Sequence, residues 1–401
     1  MRPNVEALVN ARVLCDEGLV TGRVVLVEAD RIVAVVSADD PRCAGVPHRD
    51  LNGNMLLPGF IDVQVNGGGG VMFNDDPGVA TIRTIAKAHR RFGTTSFLPT
   101  LISDDLSNVA RAIDAVRQAI TNKVPGIIGV HIEGPFLNAA RKGTHDASKF
   151  RSLDHDALTL LSSLSSLNVG KTLVTLAPEM TTPGMIASLV ANGVVVSAGH
   201  TNATFDVIEN ALRHGLTGFT HLFNAMSPLG SREPGVVGAA LLDENSWCGI
   251  IVDGHHVSPA ALQIALRCKR HERFMLVTDA MANVGTVQNS FMLQGKKIIV
   301  RDGKCVDEHG TLSGSALDMA SAVRNAVAML GLEIAEAARM ASTYPAQFLG
   351  LGNELGRIAP GYRANLVLVD DGFDVLDTWI DGNSASDADH PRHLAKITRT
   401  Q

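Results

Sequence analysis

From Leu56 onward the chain alternates short apolar runs with amphipathic stretches, and it does so eight times. The apolar runs fall at 60–66, 94–100 (TTSFLPT), 126–133 (GIIGVHIE), 172–178 (TLVTLAP), 193–200 (GVVVSAGH), 218–223 (GFTHLF), 247–253 (WCGIIVD) and 273–279 (RFMLVTD). Segments of helical period separate most of them, among them 79–92, 104–120, 202–214 and 258–270. Near-continuous Val, Ile and Leu mark strands covered on both faces, the property of a parallel sheet. Eight are more than most open sheets carry. The pattern predicts an α/β fold, a (β/α)8 TIM-like barrel.

Strands outside this repeat lie at both ends of the chain. EALVNARVL, GRVVLVEAD and RIVAVVS occupy residues 5–56, with turn signals at Asp16-Glu17-Gly18 and Ala29-Asp30. GRIAPGYRANLVLVD and VLDTWIDG read as strands near the other end. Neither group is long enough to fold alone, so the two are expected to pair in one small β-sandwich domain. The expected divisions are 1–56 and 356–385 for that domain, 57–355 for the barrel and 386–401 for a polar tail. Short strands (SFMLQG, KKIIV, CVDEHG) interrupt the alternation at 290–312, before helices at 315–330 and 334–349.

Composition removes several function classes. The chain is 45% hydrophobic and 19% charged, with scattered charges summing to −6. That is the make-up of a soluble globular protein, with no basic stripe for nucleic acid and no polybasic membrane patch. No apolar run approaches the roughly 20 residues of a membrane helix. The opening MRPNVEALVNARVL is broken by Glu6 and Arg12 and does not read as a signal peptide. Five cysteines, odd in number and without C-x-x-C, fit a reducing compartment and argue against a thiolate zinc site. A cytoplasmic location is expected.

Catalytic groups of a barrel gather where its strands end at the C-terminal face. Those ends carry Asp62, Gln64, Asn66, His131, Glu133, Glu179, His200, His221, Asp253, His255, His256 and Asp279. One buried histidine is more often structural than not. His200 and His221, however, end consecutive strands about 4.8 Å apart, so both imidazoles can reach one ion at about 2.0–2.1 Å. Glu133, two strands away, can add an oxygen, and a His2Glu set leaves a position open for water. Asp279 ends the last strand, beside the first, where a carboxylate can move a proton. Gln64 and Asn66 share a strand face with Asp62. As neutral amides they are poor zinc ligands, better suited to orienting Glu133 or a water by hydrogen bonds. The run Gly67–Gly70 lacks the GK[ST] of a phosphate loop and is weak evidence for one. His89, His155, His214, His271, His309, His390 and His393 fall on helix faces, loops or the tail, and Trp247 and Cys248 read as core.

Several longer motifs occur in order: PGFIDVQVNGGGG (58–70), GVHIEGPFLN (129–138), KGTHD (142–146), SAGHTNA (197–203), THLFNAMSPLGSREPG (220–235), DGHHV (253–257), VTDAMA (277–282) and TLSGS (311–315). On these the chain resembles the amidohydrolase superfamily and, within it, the N-acetylglucosamine-6-phosphate deacetylases, over nearly its whole length. The resemblance implies hydrolysis of the acetamide of N-acetyl-D-glucosamine 6-phosphate to glucosamine 6-phosphate and acetate. It implies one divalent metal on Glu133, His200 and His221, with Zn2+ the first expectation and Fe2+, Co2+ or Mn2+ the alternatives. It implies Asp279 as catalytic acid and base, and His145 as a donor near the substrate carbonyl, a residue that spacing does not reveal. A substrate pocket of Asn224, the Ala225 backbone, Arg232, His256 and Leu312 is implied, completed across a homodimer.

One branch of this family carries His-x-His where this chain has Gln64 and Asn66; the Gln-x-Asn form belongs to the branch working with one metal. Binuclear relatives often bridge their ions with a lysine at the end of strand four. Here that end reads Ala177-Pro178-Glu179, and Lys171 lies at the opposite end. Three alternatives stand beside this reading. The motifs do not separate C4 epimers, so N-acetylgalactosamine 6-phosphate is one. Cyclic-amide hydrolysis or deamination is another, disfavoured because SREPG and DGHHV read as an anion pocket. A non-catalytic scaffold has no need of Glu133, His200, His221 and Asp279.

Overall fold

A computed structural model describes residues 5–386. Apart from Ser386, the expected polar tail, with His390 and His393, lies outside the described residues.

Eight parallel strands form a nearly closed barrel in sequence order: Phe60–Val65, Thr94–Ile102, Gly129–Glu133, Lys171–Leu176, Val195–Ala198, Gly218–Phe219, Trp247–Ile250 and Phe274–Leu276. Each falls on an expected apolar run. The ring is closed at its mouth, beyond the last strand. There Val65 bridges Ala280, the Asp279 N–H donates to the Gln64 carbonyl at 3.0 Å, and the Asn66 N–H donates to the Ala280 carbonyl at 2.9 Å. Inside the barrel, beneath the mouth, His131 is wholly buried between hydroxyls, with Thr100 Oγ1 at 3.2 Å from Nδ1 and Thr175 Oγ1 at 2.7 Å from Nε2. Burial lowers its pKa to about 4, so it is a neutral packing residue.

The helices Val79–Arg90, Leu106–Thr121, Phe205–Arg213 and Pro259–Cys268 lie where periodicity places them. Gly235–Leu242 is a helix that periodicity does not find. Its sequence GVVGAALL is apolar on every side and buried from Gly235 to Leu241, so it has no polar face to create a period. Buried Lys269 caps its C-terminal end, with Nζ donating to the Ala240 carbonyl at 2.9 Å and also to that of Asp243. The single helix expected at 334–349 is two, Ile334–Met340 and Thr343–Phe348. Pro345 has no N–H to donate to the Ala341 carbonyl, so the ladder cannot run through it.

The strands at the two chain ends meet as expected. Leu366–Val369 pairs antiparallel with Met55–Pro58, in an eight-stranded sheet with Val5–Cys15, Gly18–Glu28 and Arg31–Ser37. A bridge between Arg31 and Arg363 folds this sheet over a core of Leu8, Val13, Val25, Ile32, Leu56, Leu366 and Trp379. The expected sandwich is thus one sheet doubled on itself. The strands Ser290–Leu293, Lys296–Arg301, Lys304–Val306 and Leu312–Ser315 form a separate antiparallel sheet. It packs beside the mouth through Leu293, Ile298 and Cys305 against Met72, Ile102, Met281 and Ala282.

Barrel strands three and four run so close that a Cβ at Gly129 would stand 2.0 Å from the Lys171 carbonyl oxygen. The Lys171 N–H is held by the Ile128 carbonyl at 3.0 Å, so the two strands have little room to part there. Gly129→Ala is expected to lower stability by at least about 2 kcal/mol, measured as a lower urea midpoint at unchanged slope. An unchanged midpoint would show that the strands separate freely there.

Candidate metal centre

The strands deliver their last residues to the mouth through an unusual backbone. His200, His221 and Asp279 have φ of 47°, 34° and 51°, in the left-handed region. That conformation costs non-glycine residues about 1–3 kcal/mol each, and surrounding contacts must hold it.

Three atoms converge there. His200 Nε2 lies 3.1 Å from Glu133 Oε1 and 3.1 Å from His221 Nε2, and His221 Nε2 lies 3.0 Å from Glu133 Oε1. All three residues are buried. His200 Nδ1 donates to the Arg141 carbonyl at 2.9 Å, a partner that only accepts, so a neutral His200 turns a lone pair at Nε2 into the triangle. Burial alone would raise Glu133; a proton shared with the Nε2 atoms of His200 and His221, and the positive charge it brings, outweighs burial and holds the carboxylate well below its usual range. His221 is raised, its hydrogen bond and charge contact with Glu133 outweighing burial. Such a set is built around positive charge. Four ligands at about 2.0–2.1 Å in a tetrahedron stand roughly 3.3–3.4 Å apart, close to the spacing seen. Glu133, His200 and His221 therefore fit a divalent ion.

His145 also lies in the cluster, its ligating atom within 4.8 Å of those of Glu133 and His200. Its second contact sets it apart. The Ser103 N–H donates to His145 Nδ1 at 3.3 Å, and Ser103 Oγ lies 2.8 Å from the same nitrogen. A backbone N–H can only donate, so Nδ1 accepts and a neutral ring carries its proton on Nε2. Burial first, then the neighbouring His200, lowers its pKa well below the usual value, which keeps the ring neutral. Two imidazoles with centroids 4.3 Å apart thus have opposite tautomers, one an acceptor at Nε2 and the other a donor.

Gln64 Nε2 donates to both Glu133 Oε2 and Asp279 Oδ1, at 3.2 Å each, and Asn66 Nδ2 donates to Asp279 Oδ1 at 2.6 Å. Each amide thus donates to a buried carboxylate, Gln64 to two of them. Burial, then the charge of Glu133, pushes Asp279 up to about 6. Beneath them buried Asp62, pushed up to about 7 by burial, accepts from the Gln64 N–H at 3.1 Å and from Thr278 Oγ1. Glu179 is engaged structurally, accepting from Thr201 Oγ1 at 2.6 Å and the Asn202 N–H at 2.7 Å. The glycine run serves packing: a Cβ at Gly67 would meet the Val71 carbonyl at 2.5 Å, and one at Gly68 would meet His89 Nε2 at 2.8 Å.

The residues expected to hold phosphate are less tightly gathered. Asn224 Nδ2 donates to the His221 carbonyl at 3.1 Å, and Ala225, at φ 52°, offers an N–H with no backbone acceptor among the described residues. His256 Nδ1 lies 2.6 Å from Asp253 Oδ2 and has a charge contact with Asp279, which places its loop at the same mouth. Arg232 is exposed and has no ionic partner among the described residues, and Leu312 is half-buried in the small antiparallel sheet. Sequence reasoning missed Ser103. It ends TLIS at the second barrel strand, which runs to Ile102 rather than Thr100, so reading that strand two residues further would have found it.

Gln64→Met keeps the length of the side chain and removes the donor shared by two buried carboxylates. Stability without metal is expected to fall by about 1–3 kcal/mol at pH 7.5. Asp279 has a raised pKa, so its ionised form is present above about 6 and lost as pH falls through that value. The deficit should shrink accordingly below pH 6. Urea unfolding in chelator measures it, and a change under about 0.5 kcal/mol would make the amide a spectator.

The amidohydrolase family profile matches residues 55–385. An N-acetylgalactosamine-6-phosphate deacetylase of Shewanella sp. (strain ANA-3) is 44% identical over 401 residues, covering 98% of this chain and 100% of that one. The N-acetylglucosamine-6-phosphate deacetylase of Haemophilus influenzae is 35% identical over 379 residues, covering 94% and 98%. The crystal structure of N-acetylglucosamine-6-phosphate deacetylase from Pasteurella multocida superposes with a TM-score of 0.90 at 38% identity, over 95% of this chain and 99% of that one. With the motifs in order, the barrel and the convergent Glu/His/His group, the chain belongs to the amidohydrolase family, among the N-acetylhexosamine-6-phosphate deacetylases.

Proposed function

We propose that the protein hydrolyses the acetamide of N-acetyl-D-glucosamine 6-phosphate, giving glucosamine 6-phosphate and acetate. One observation carries this reading. A buried triangle of acceptors (Glu133, His200, His221) stands beside a carboxylate with a pKa near neutrality (Asp279) and a neutral imidazole that donates (His145). Glu133, His200 and His221 hold one divalent ion, Zn2+ by the nitrogen and oxygen character of the set. Such an ion, when bound, polarises a carbonyl and lowers the pKa of water to about 7.

The chain's own groups move the protons. Asp279, ionised above about 6, takes a proton from the attacking water and returns it to the departing amine, which is too basic to leave as an anion. His145 Nε2–H donates to the carbonyl oxygen as it gains charge. Gln64 and Asn66 keep the carboxylate facing inward through this exchange. Arg232, His256, Asn224 and the Ala225 N–H take the 6-phosphate, arginine by its two parallel donors, and Leu312 lines the sugar. The family resemblance supports a homodimer in which a second copy closes this pocket. All five cysteines are free, which supports a cytoplasmic location.

A second reading, the same reaction on N-acetylgalactosamine 6-phosphate, is favoured by the 44% identity to a deacetylase of that name across both whole chains. Acetate release from both C4 epimers, each with and without 6-phosphate, decides. The phosphorylated sugars are expected to react at least about tenfold better, as charge-assisted bonds to phosphate require, and the better epimer names the substrate. No acetate from either would remove both readings.

Asn tolerates the left-handed backbone of position 279, so Asp279→Asn is expected to keep its fold and one equivalent of metal. Its activity should fall by about 10²–10⁴-fold. A variant within about threefold of wild type takes Asp279 out of the chemistry. Two metal equivalents in the wild type, with activity rising in step with the second, would sink the single-ion reading.

A further inference from the structure

Gln294 occupies the tip of the hairpin between Ser290–Leu293 and Lys296–Arg301. Its φ is 48° and that of Gly295 is 81°, a two-residue turn with both positions left-handed. Asn, Asp or Gly makes such a turn at lower cost, so the longer side chain has another use. Both ends of its carboxamide are engaged away from the hairpin. Nε2 donates to the Ser103 carbonyl at 2.9 Å, and Oε1 accepts from the Asp146 N–H at 3.2 Å. Ser103 is the residue that grips Nδ1 of His145, and Asp146 follows His145 in the chain. The amide therefore joins the two backbone segments whose separation fixes the imidazole. Leu293, beside it, is buried with Ile102, which precedes Ser103, and with Met281 and Ala282 near Asp279. The hairpin is pinned by Leu293 and Ile298 close to the tip that makes the cross-link.

We propose that Gln294 is a positioning residue for His145, holding Ser103 against Nδ1 so that the proton stays on Nε2. The consequence for turnover rests on the deacetylase reading; the consequence for the tautomer does not. With the cross-link gone, the Ser103 N–H and hydroxyl drift from Nδ1. The alternative tautomer then presents a lone pair where a donor is required.

Gln294→Gly removes the carboxamide and relieves the left-handed backbone, so strain cannot account for any loss. Gln294→Glu keeps an acceptor for the Asp146 N–H and turns an oxygen toward the Ser103 carbonyl. Both are expected to lower kcat by about three- to tenfold, the worth of one hydrogen bond, with KM within about twofold. In protein labelled with 15N-histidine, the two His145 ring nitrogens, assigned by their loss in His145→Gln, should shift toward the other tautomer. Placed on His145→Gln, the Gln294→Gly change should cost less than about twofold, because residues acting through one another are not additive. Unchanged ring-nitrogen shifts, undiminished kcat or an equal loss on both backgrounds overturns the proposal. A wild type that releases no acetate from either epimer defeats the deacetylase reading alone, and the nitrogen shifts still decide the role of Gln294.

Discussion

Three lone-pair atoms held within 3.1 Å of one another in a buried barrel mouth are the constraint on which this structure turns. Acceptors at that spacing repel unless a proton or a cation sits among them. The surrounding contacts keep them there. The Arg141 carbonyl orients His200, the Gln64 amide holds Glu133, and the backbone at His200 and His221 stays left-handed. Strain of this kind persists only where the rest of the fold overdetermines it. Here the continuous core behind the strands and the seam between the first and last of them supply that determination.

The seam has a second consequence. Strands one and eight do not pair along their length; they meet at the mouth, through Asp279 N–H to Gln64, Asn66 N–H to Ala280, and Asp62 to Thr278. The closure that completes the barrel is thus made by the residues that present Asp279, the proposed proton-transfer carboxylate. Fold and site share hydrogen bonds at this point, so a change to Gln64 or Asp62 acts on both. Coupled networks of this sort resist assignment of energy to single members.

Much of this was legible in the sequence because barrel geometry converts strand order into spatial order. GVVVSAGH and GFTHLF had to put His200 and His221 side by side, and alternation along FIDVQVN had to put Gln64 and Asn66 on one face. What was not legible depends on contacts between loops distant in sequence. The tautomer of His145 is set by Ser103, 42 residues away, and Ser103 is in turn held by Gln294, 191 residues further on. No periodicity encodes such pairs. Helix errors had local causes of another kind: GVVGAALL has no polar face, and Pro345 interrupts a run whose apolar pattern continues through it.

Charge explains why amides stand where other family branches have imidazoles. The mouth holds two carboxylates in direct contact with Gln64, those of Glu133 and Asp279. One divalent ion balances both when Asp279 is ionised. A second ion would leave an uncompensated double positive charge among buried groups, since His145, Gln64 and Asn66 are neutral and Asp62, pushed up to about 7, is committed to Thr278. Isolated charge in such a place costs several kcal/mol at least. An amide at position 64 also does what an imidazole there could not do while ligating metal. It donates to both carboxylates at once, and so holds Asp279, the proposed base, beside Glu133, the proposed metal ligand. One ion would therefore balance the charge of the proposed site, and the FIDVQVN strand supplies hydrogen-bond donors to its carboxylates.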